Sequence, residues 1–187
     1  MIILVTGTPG VGKTTVAKKL AEVLKINYLH VSSFIIERKL YTEYDPIRQS
    51  FVIDEDKVIE ELNKYIQGKD LVIETIYPSL LAKADKVIVL RKNPLLLYDE
   101  LKMRGWNDIK VAENVMSEAL DVILTEALET FPEEKICQID VTGKTVDKVV
   151  NEILDWKCEN NPNWLADPKI QDLIFFLDKI INRVAEE

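Results

Sequence analysis

Residues 7–14 read Gly7-Thr8-Pro9-Gly10-Val11-Gly12-Lys13-Thr14, with the apolar run Ile2-Ile3-Leu4-Val5 just before them and a helix-periodic stretch, Lys13 to Leu24, overlapping their end. The spacing G-x-x-x-x-G-K-[ST] between a strand and a helix marks a loop that wraps phosphate. Its glycines, Gly10 and Gly12 among them, let successive backbone N–H groups converge on an anion, and the helix starting near Lys13 aims its positive dipole end at the same point. Lys13 adds a mobile cation for β- and γ-phosphates. The Thr14 hydroxyl is placed to ligate magnesium, and Thr15 is the next donor for an α-phosphate.

Working outward, short apolar runs recur at Tyr28 to Val31, Leu71 to Ile73, Val87 to Leu90 and Ile136 to Ile139. Helical periods separate most of them: Ser33 to Lys39, Asp56 to Gln67, Pro94 to Met103, Val111 to Glu129 and Val146 to Trp156. Five strands interleaved with helices predict a three-layer α/β/α sandwich of the P-loop NTPase type, with a five-stranded parallel sheet and ligands at the strands' carboxyl ends. Residues 1–157 form this domain and residues 158–187 a linker plus a C-terminal helix. Asp167-Pro168 offers an N-cap and a first-turn proline. The stripe Ile170, Leu173, Ile174, Leu177, Ile180, Ile181 and Val184 then needs a cover: the chain's own domain, a second copy or a partner.

Leu71-Val72-Ile73-Glu74 is an apolar strand ending in a carboxylate, the arrangement that holds magnesium in such enzymes, so Glu74 joins Thr14 as a metal candidate. The competing strand Val87 to Leu90 ends in Arg91, with Lys92 expected to be solvated. Between Val31 and Asp54 lie Arg38, Tyr44 and Arg48, cations and an aromatic suited to a second anionic substrate held in line with the γ-phosphate. Arg104-Gly105-Trp106-Asn107 interrupts two helices. It reads either as a short lid that brings Arg104 over the nucleotide or as an ordinary turn with Gly105 at C′.

Thirty-two acidic against 24 basic side chains give a net charge of −8, which argues against a general nucleic-acid surface and leaves room for a basic protein partner. The Asn-Lys-x-Asp signature of GTP recognition is missing, since Asn63-Lys64-Tyr65 continues with Ile66. Without a long uncharged apolar stretch or a leader-like start, the chain is expected to be soluble and cytoplasmic. Cys137 and Cys158, lacking CxxC spacing, suggest a reducing compartment and no zinc site; Cys137 reads as core. The single histidine, His30, reads as a buried or capping residue.

Gly7 through Thr15, Leu40-Tyr41-Thr42-Glu43-Tyr44-Asp45, Val52-Ile53-Asp54-Glu55-Asp56, Val87 to Arg91, Leu97-Tyr98 and Arg104-Gly105-Trp106-Asn107 together resemble the adenylate kinase isoenzyme 6 family over residues 1 to about 157. The resemblance implies a broad-specificity nucleoside monophosphate kinase using ATP with Mg²⁺, and ATPase activity. It also implies an acceptor region near 30–53, a lid near 103–113, and a part in small ribosomal subunit maturation through a small-subunit ribosomal protein. It carries nucleotide contacts onto Gly10, Gly12, Lys13, Thr14, Thr15, Arg104 and Lys144, with Lys13 and Arg104 acting in transfer. One position departs: where the family usually has an acid, any residue, then His, this chain has Glu74 and Ile76, which weakens the expectation of hydrolysis more than that of transfer. A P-loop kinase of another small metabolite and a nucleotide-switched assembly factor remain as alternatives.

Overall fold

A computed structural model describes residues 1–186; Glu187, the end of the expected C-terminal segment, lies outside the described residues. β1 (Ile2–Gly7) leads through the phosphate loop into α1 (Lys13–Leu24), followed by β2 (Asn27–His30) and α2 (Val31–Glu37). A hairpin of β3 (Tyr41–Asp45) and β4 (Ser50–Ile53) precedes α3 (Glu55–Tyr65), β5 (Leu71–Glu74) and β6 (Lys86–Arg91). The chain continues through α4 (Pro94–Met103), α5 (Asp108–Ala119), α6 (Val122–Thr130), β7 (Ile136–Asp140), α7 (Val146–Leu154) and α8 (Pro168–Ala185).

Five strands form a parallel sheet in the order β2-β5-β1-β6-β7. Their side chains alternate between two cores, as a period of two requires. Ile3 and Val5 of β1 face α1 and α7, against Val16, Leu20, Val149 and Ile153. Leu4 of the same strand faces α2, α3 and α6, against Phe34, Val58, Leu62 and Leu124. The α/β/α sandwich with a five-stranded sheet is therefore as expected.

A third cluster stands apart, where Leu97 and Leu101 of α4 meet Val111, Ala112 and Val115 of α5 and Leu177 of α8. The chain's own α4 and α5 thus cover the stripe on α8, while Phe175 and Phe176 stay exposed. Asp167 caps α8 by accepting from the Lys169 N–H at 2.9 Å, with Pro168 in the first turn.

Three expectations need correction. The segment expected as a continuous helix, Val111 to Glu129, breaks at Asp121, which takes a left-handed φ of 58° between α5 and α6. Its carboxylate is held there by Arg91 and by Asn161, contacts that hydrophobic periodicity does not register. The segment expected to hold the acceptor contains a two-stranded hairpin that the sequence reading missed. Tyr44, Phe51 and Val52 remain exposed, so no buried face imposes an alternating pattern. Finally, Cys137 and Cys158 are joined in a disulfide across a separation of 21 residues, with Cα atoms 4.9 Å apart. The chain leaving α7 doubles back along β7, where the Glu159 N–H donates to the Gln138 carbonyl at 2.9 Å. That juxtaposition removes the ground for inferring a reducing compartment from cysteine spacing. No helix among the described residues is long and apolar enough to cross a membrane.

Candidate active site

The phosphate loop projects from the carboxyl end of β1, the centre of the sheet, with β5 and β6 on either side. Gly10 has φ +95°, which strains any other residue, and a Cβ there would lie 2.8 Å from Leu101 Cδ2 and 2.9 Å from Leu97 Cδ1, so the α4 leucines would also have to shift. Gly12 faces open space but holds φ +93° as the N-cap of α1, a conformation that strains any other residue.

Lys13 folds back over the loop and is buried, its Nζ donating to the Thr8 carbonyl at 3.1 Å. Burial pulls its ammonium down to about 8; Glu74 and Glu118 oppose the shift, and the Arg104 charge adds to it. That influence brings Arg104 into the field of the loop, although its side chain is exposed and the backbone at Arg104-Gly105 is a helix C-terminus, with Gly105 at φ +76°. Thus the corner has the geometry of a helix-ending turn, and the Arg104 charge is felt at Lys13.

Glu74 ends β5 in register with Val5 of β1 and His30 of β2, which sets a buried carboxylate beside the loop. The Thr14 hydroxyl donates to Glu74 Oε1 at 2.5 Å, so the two residues read as a metal pair do meet. Two further residues converge there. The Tyr28 hydroxyl donates to Glu74 Oε2, and burial together with the carboxylate pushes that phenol up. His30 lies with Nε2 3.9 Å from Glu74 Oε2 and Nδ1 2.7 Å from Ser33 Oγ. His30 holds the N-cap position of α2 without a side-chain capping bond and is partly exposed, so it is a member of the site's rim. Hydroxyl and carboxylate oxygens are the hard donors magnesium takes, and no cluster of three His, Cys, Asp or Glu residues is found among the described residues. Such a donor set suits an ion completed by phosphate oxygens and water.

The three acceptor candidates do not converge. Arg38 stacks over Phe34 at 4.4 Å and Tyr65 at 5.3 Å and pairs with Glu61 at 3.6 Å. Tyr44 is exposed on β3, edge-on to Phe51 at 5.2 Å. Arg48, at the hairpin tip, directs its Nε and Nη2 to Glu113 at 2.9 and 2.8 Å and its Nη1 to Asp45 at 3.1 Å. These carboxylates raise its pKa further. Because Asn107 also donates to the Ile47 carbonyl at 2.7 Å, the hairpin tip is fastened to the α4–α5 corner. Under the hairpin runs a cleft of about 340 Å³ whose lining includes Arg48, Phe51, Ile53, Tyr77 and Glu126. Lys144, in the turn after β7, is held by Glu152 at 3.0 Å and by Glu159. Lys92 is not solvated but paired with Glu100.

Sequence reasoning passed over Tyr28 and the buried Glu118, and read His30 as a buried or capping residue, whereas it is partly exposed and its side chain makes no capping bond. A strand carrying Tyr and His two positions apart could have signalled one polar face for Tyr28 and His30.

A protein family described as an AAA domain matches residues 3–121. A relative from Saccharolobus solfataricus named "Putative adenylate kinase" is 59% identical, the match covering 97% of each chain. One of the same name from Sulfurisphaera tokodaii is 53% identical, over 97% of this chain and 95% of its own. One from Methanococcus maripaludis is 42% identical over 89% and 97%. Among solved structures, a shikimate kinase from Acinetobacter baumannii in complex with shikimate superposes with a TM-score of 0.60 at 19% identity, covering 82% of this chain and 90% of the other. A thymidylate kinase from Candida albicans gives 0.52 at 18%, covering 82% and 89%. At those identities the two structures speak for the fold alone.

Proposed function

The chain belongs to this adenylate kinase-like family of P-loop phosphotransferases, and from that premise we propose that it moves the γ-phosphoryl group of ATP to AMP or a related nucleoside monophosphate. The observation that carries the reading is the meeting of Thr14 and Glu74 beside a loop whose lysine is buried and turned back over it. Gly10, Gly12, Thr14 and Thr15 would supply backbone and hydroxyl donors to the phosphates, with Lys13 on the β- and γ-oxygens. Thr14 and Glu74 would hold Mg²⁺, which when bound offsets the charge of those oxygens. Little covalent work then remains for the protein. Its contribution is to hold two anions in line and to surround the transferring group with fixed positive charge and N–H dipoles.

To Arg104, at the α4–α5 corner, whose charge is felt at Lys13, we assign that purpose, and to the corner itself the part of a lid that excludes water. On the acceptor side we assign the cleft beneath the hairpin, with Arg48 turning from Glu113 and Asp45 to the incoming phosphate. Arg38 and Tyr44 do not line that cleft and already have aromatic partners, so they rank below Arg48 as acceptor contacts. Lys144 would reach the nucleotide from the turn after β7. Weak hydrolysis without acceptor belongs to the same reading, because Ile76 offers no group to orient water. So does a role in small ribosomal subunit maturation through a basic small-subunit ribosomal protein, which a net charge of −8 suits.

The deciding experiment follows ADP formation from ATP and Mg²⁺ with and without AMP, CMP, UMP, GMP and dTMP. A large acceptor-dependent rate is expected with at least one monophosphate. Equal rates with and without every acceptor would overturn the kinase, and co-sedimentation with small ribosomal subunits tests the second role.

A further inference from the structure

Directly beneath the phosphate loop lies a carboxylate that the proposed transfer does not use. Glu118, in the last turn of α5, is buried among groups from three separate parts of the chain. Its Oε2 accepts the Thr8 hydroxyl at 2.8 Å. Its Oε1 accepts Arg91 Nε at 3.0 Å, the Lys92 backbone N–H at 3.1 Å and the Trp164 indole N–H at 3.1 Å.

Three of these partners can only donate, and all three converge on Oε1, so that oxygen serves as an acceptor throughout. A buried carboxylate is costly unless its lone pairs are satisfied, and an apolar side chain of similar volume would fill the space at lower cost. Here the lone pairs are satisfied, and what the arrangement gains is geometry. Thr8 is fully buried, its side chain is held by Glu118, and its carbonyl holds Lys13 Nζ at 3.1 Å. A shift of Thr8 therefore moves the lysine. Trp164 belongs to the segment after the disulfide, is 9% exposed, and packs with Ala119 and Ile170.

We propose that Glu118 is a positioning residue of the phosphate loop, fixing it through the Thr8 hydroxyl and tying it to the C-terminal segment through the Trp164 indole. The idea rests on the nucleotide reading of the loop given above. Two consequences separate it from a merely structural bond. Loss of the Thr8 hydroxyl weakens nucleotide handling, and nucleotide on the loop is felt at Trp164.

The test compares Thr8→Val, which keeps the shape and removes the donor, with Thr8→Ser, which keeps the donor. Each is made alone for the kinetic and affinity arms and, for the emission arm only, in a protein whose remaining tryptophans are changed to Phe (Trp106→Phe, Trp156→Phe), which serves as its own reference. ATP affinity and Trp164 emission are read without acceptor, and turnover with it. Thr8→Val is expected to lose roughly ten-fold or more in kcat/KM for ATP, the size of a hydrogen bond to a charged acceptor. It should also lose the ATP-induced change in Trp164 emission, and Thr8→Ser should restore both to within about three-fold of the parent. A Thr8→Val protein with parental ATP affinity, parental kcat and an intact emission change overturns the proposal. So does one that only melts earlier. Should Thr8→Val fail to fold, Trp164→Phe removes the N–H while keeping the apolar bulk. A several-fold drop in kcat with unchanged KM for the monophosphate supports the link, and unchanged kcat overturns it. If the parent binds ATP but phosphorylates no monophosphate, the kinase reading fails while the affinity and emission arms still decide this one.

Discussion

Raising the pH through the range where Lys13 loses its proton should weaken nucleotide binding and make that binding take up a proton. In the ligand-free protein burial sets this lysine at about 8, against 10.5 for the free side chain. At pH 9 about one-tenth of the molecules then carry the charge, whereas at pH 7 about nine-tenths do. Phosphate oxygens at the loop favour the charged form. If they restore Lys13 to its ordinary value, binding at pH 9 recruits about 0.9 proton and at pH 7 about 0.1. Phosphate itself is ionised well below this window, so the uptake belongs to the protein. Affinity for ATP should fall about ten-fold between pH 7 and pH 9, since every further unit above the free-state value costs a factor of about ten. Stability of the free protein moves the other way. Between about 8 and 10.5 the unfolded chain binds more protons at this site than the folded one, so this group makes the fold more stable as pH rises, by roughly 3 kcal/mol over the window. Calorimetric titration with ATP at pH 9 in two buffers of different ionisation heat reads the proton count. Lys13→Met supplies the control in which the pH dependence disappears. Flat affinity from pH 7 to 9.5, or no uptake at pH 9, would refute the placement of a buried, perturbed lysine on the phosphates.

Glu74→Gln should lower Mg²⁺-dependent turnover by roughly 10²-fold, the scale of a lost electrostatic contact at a reacting phosphate; an unchanged Mg²⁺ titration curve would direct the search to another carboxylate. Reduction of the Cys137–Cys158 disulfide, or Cys158→Ser, opens a loop of 21 residues and should cost about 3 kcal/mol by the chain-entropy argument, read as a Tm drop of roughly 6–12 °C. Identical melting with and without reductant would count against a bond that contributes to stability. Ile76→His, on the half-buried bend after β5, should speed acceptor-free ATP hydrolysis while leaving transfer to AMP nearly unchanged. Earlier melting with no added hydrolysis would show instead that the imidazole has been buried without a partner.

What could be read directly from the chain shares one property: each residue's role follows from its own sequence neighbours. Gly10, Gly12, Lys13 and Thr14 are grouped because they lie close together on one loop, and Glu74 is marked because an acid ends an apolar run. The residues whose partners were not legible owe their place to strand order and helix crossing. His30 is opposite Glu74 only because β2 is seated beside β5, and periodicity says which face a side chain takes without saying which strand lies next to it. Glu118 looks like any polar residue on an amphipathic helix until α5 passes under the end of β6 and meets Arg91. The cations mark the same boundary from the other side. Arg48 was visible as a charge at the right distance along the chain, yet its two carboxylate partners come from its own hairpin and from α5. An arginine already forked between two acids can reach an acceptor phosphate only by exchanging one anionic partner for another. Any contribution it makes to acceptor affinity would therefore be a difference between two ion pairs, smaller than the contact itself would suggest.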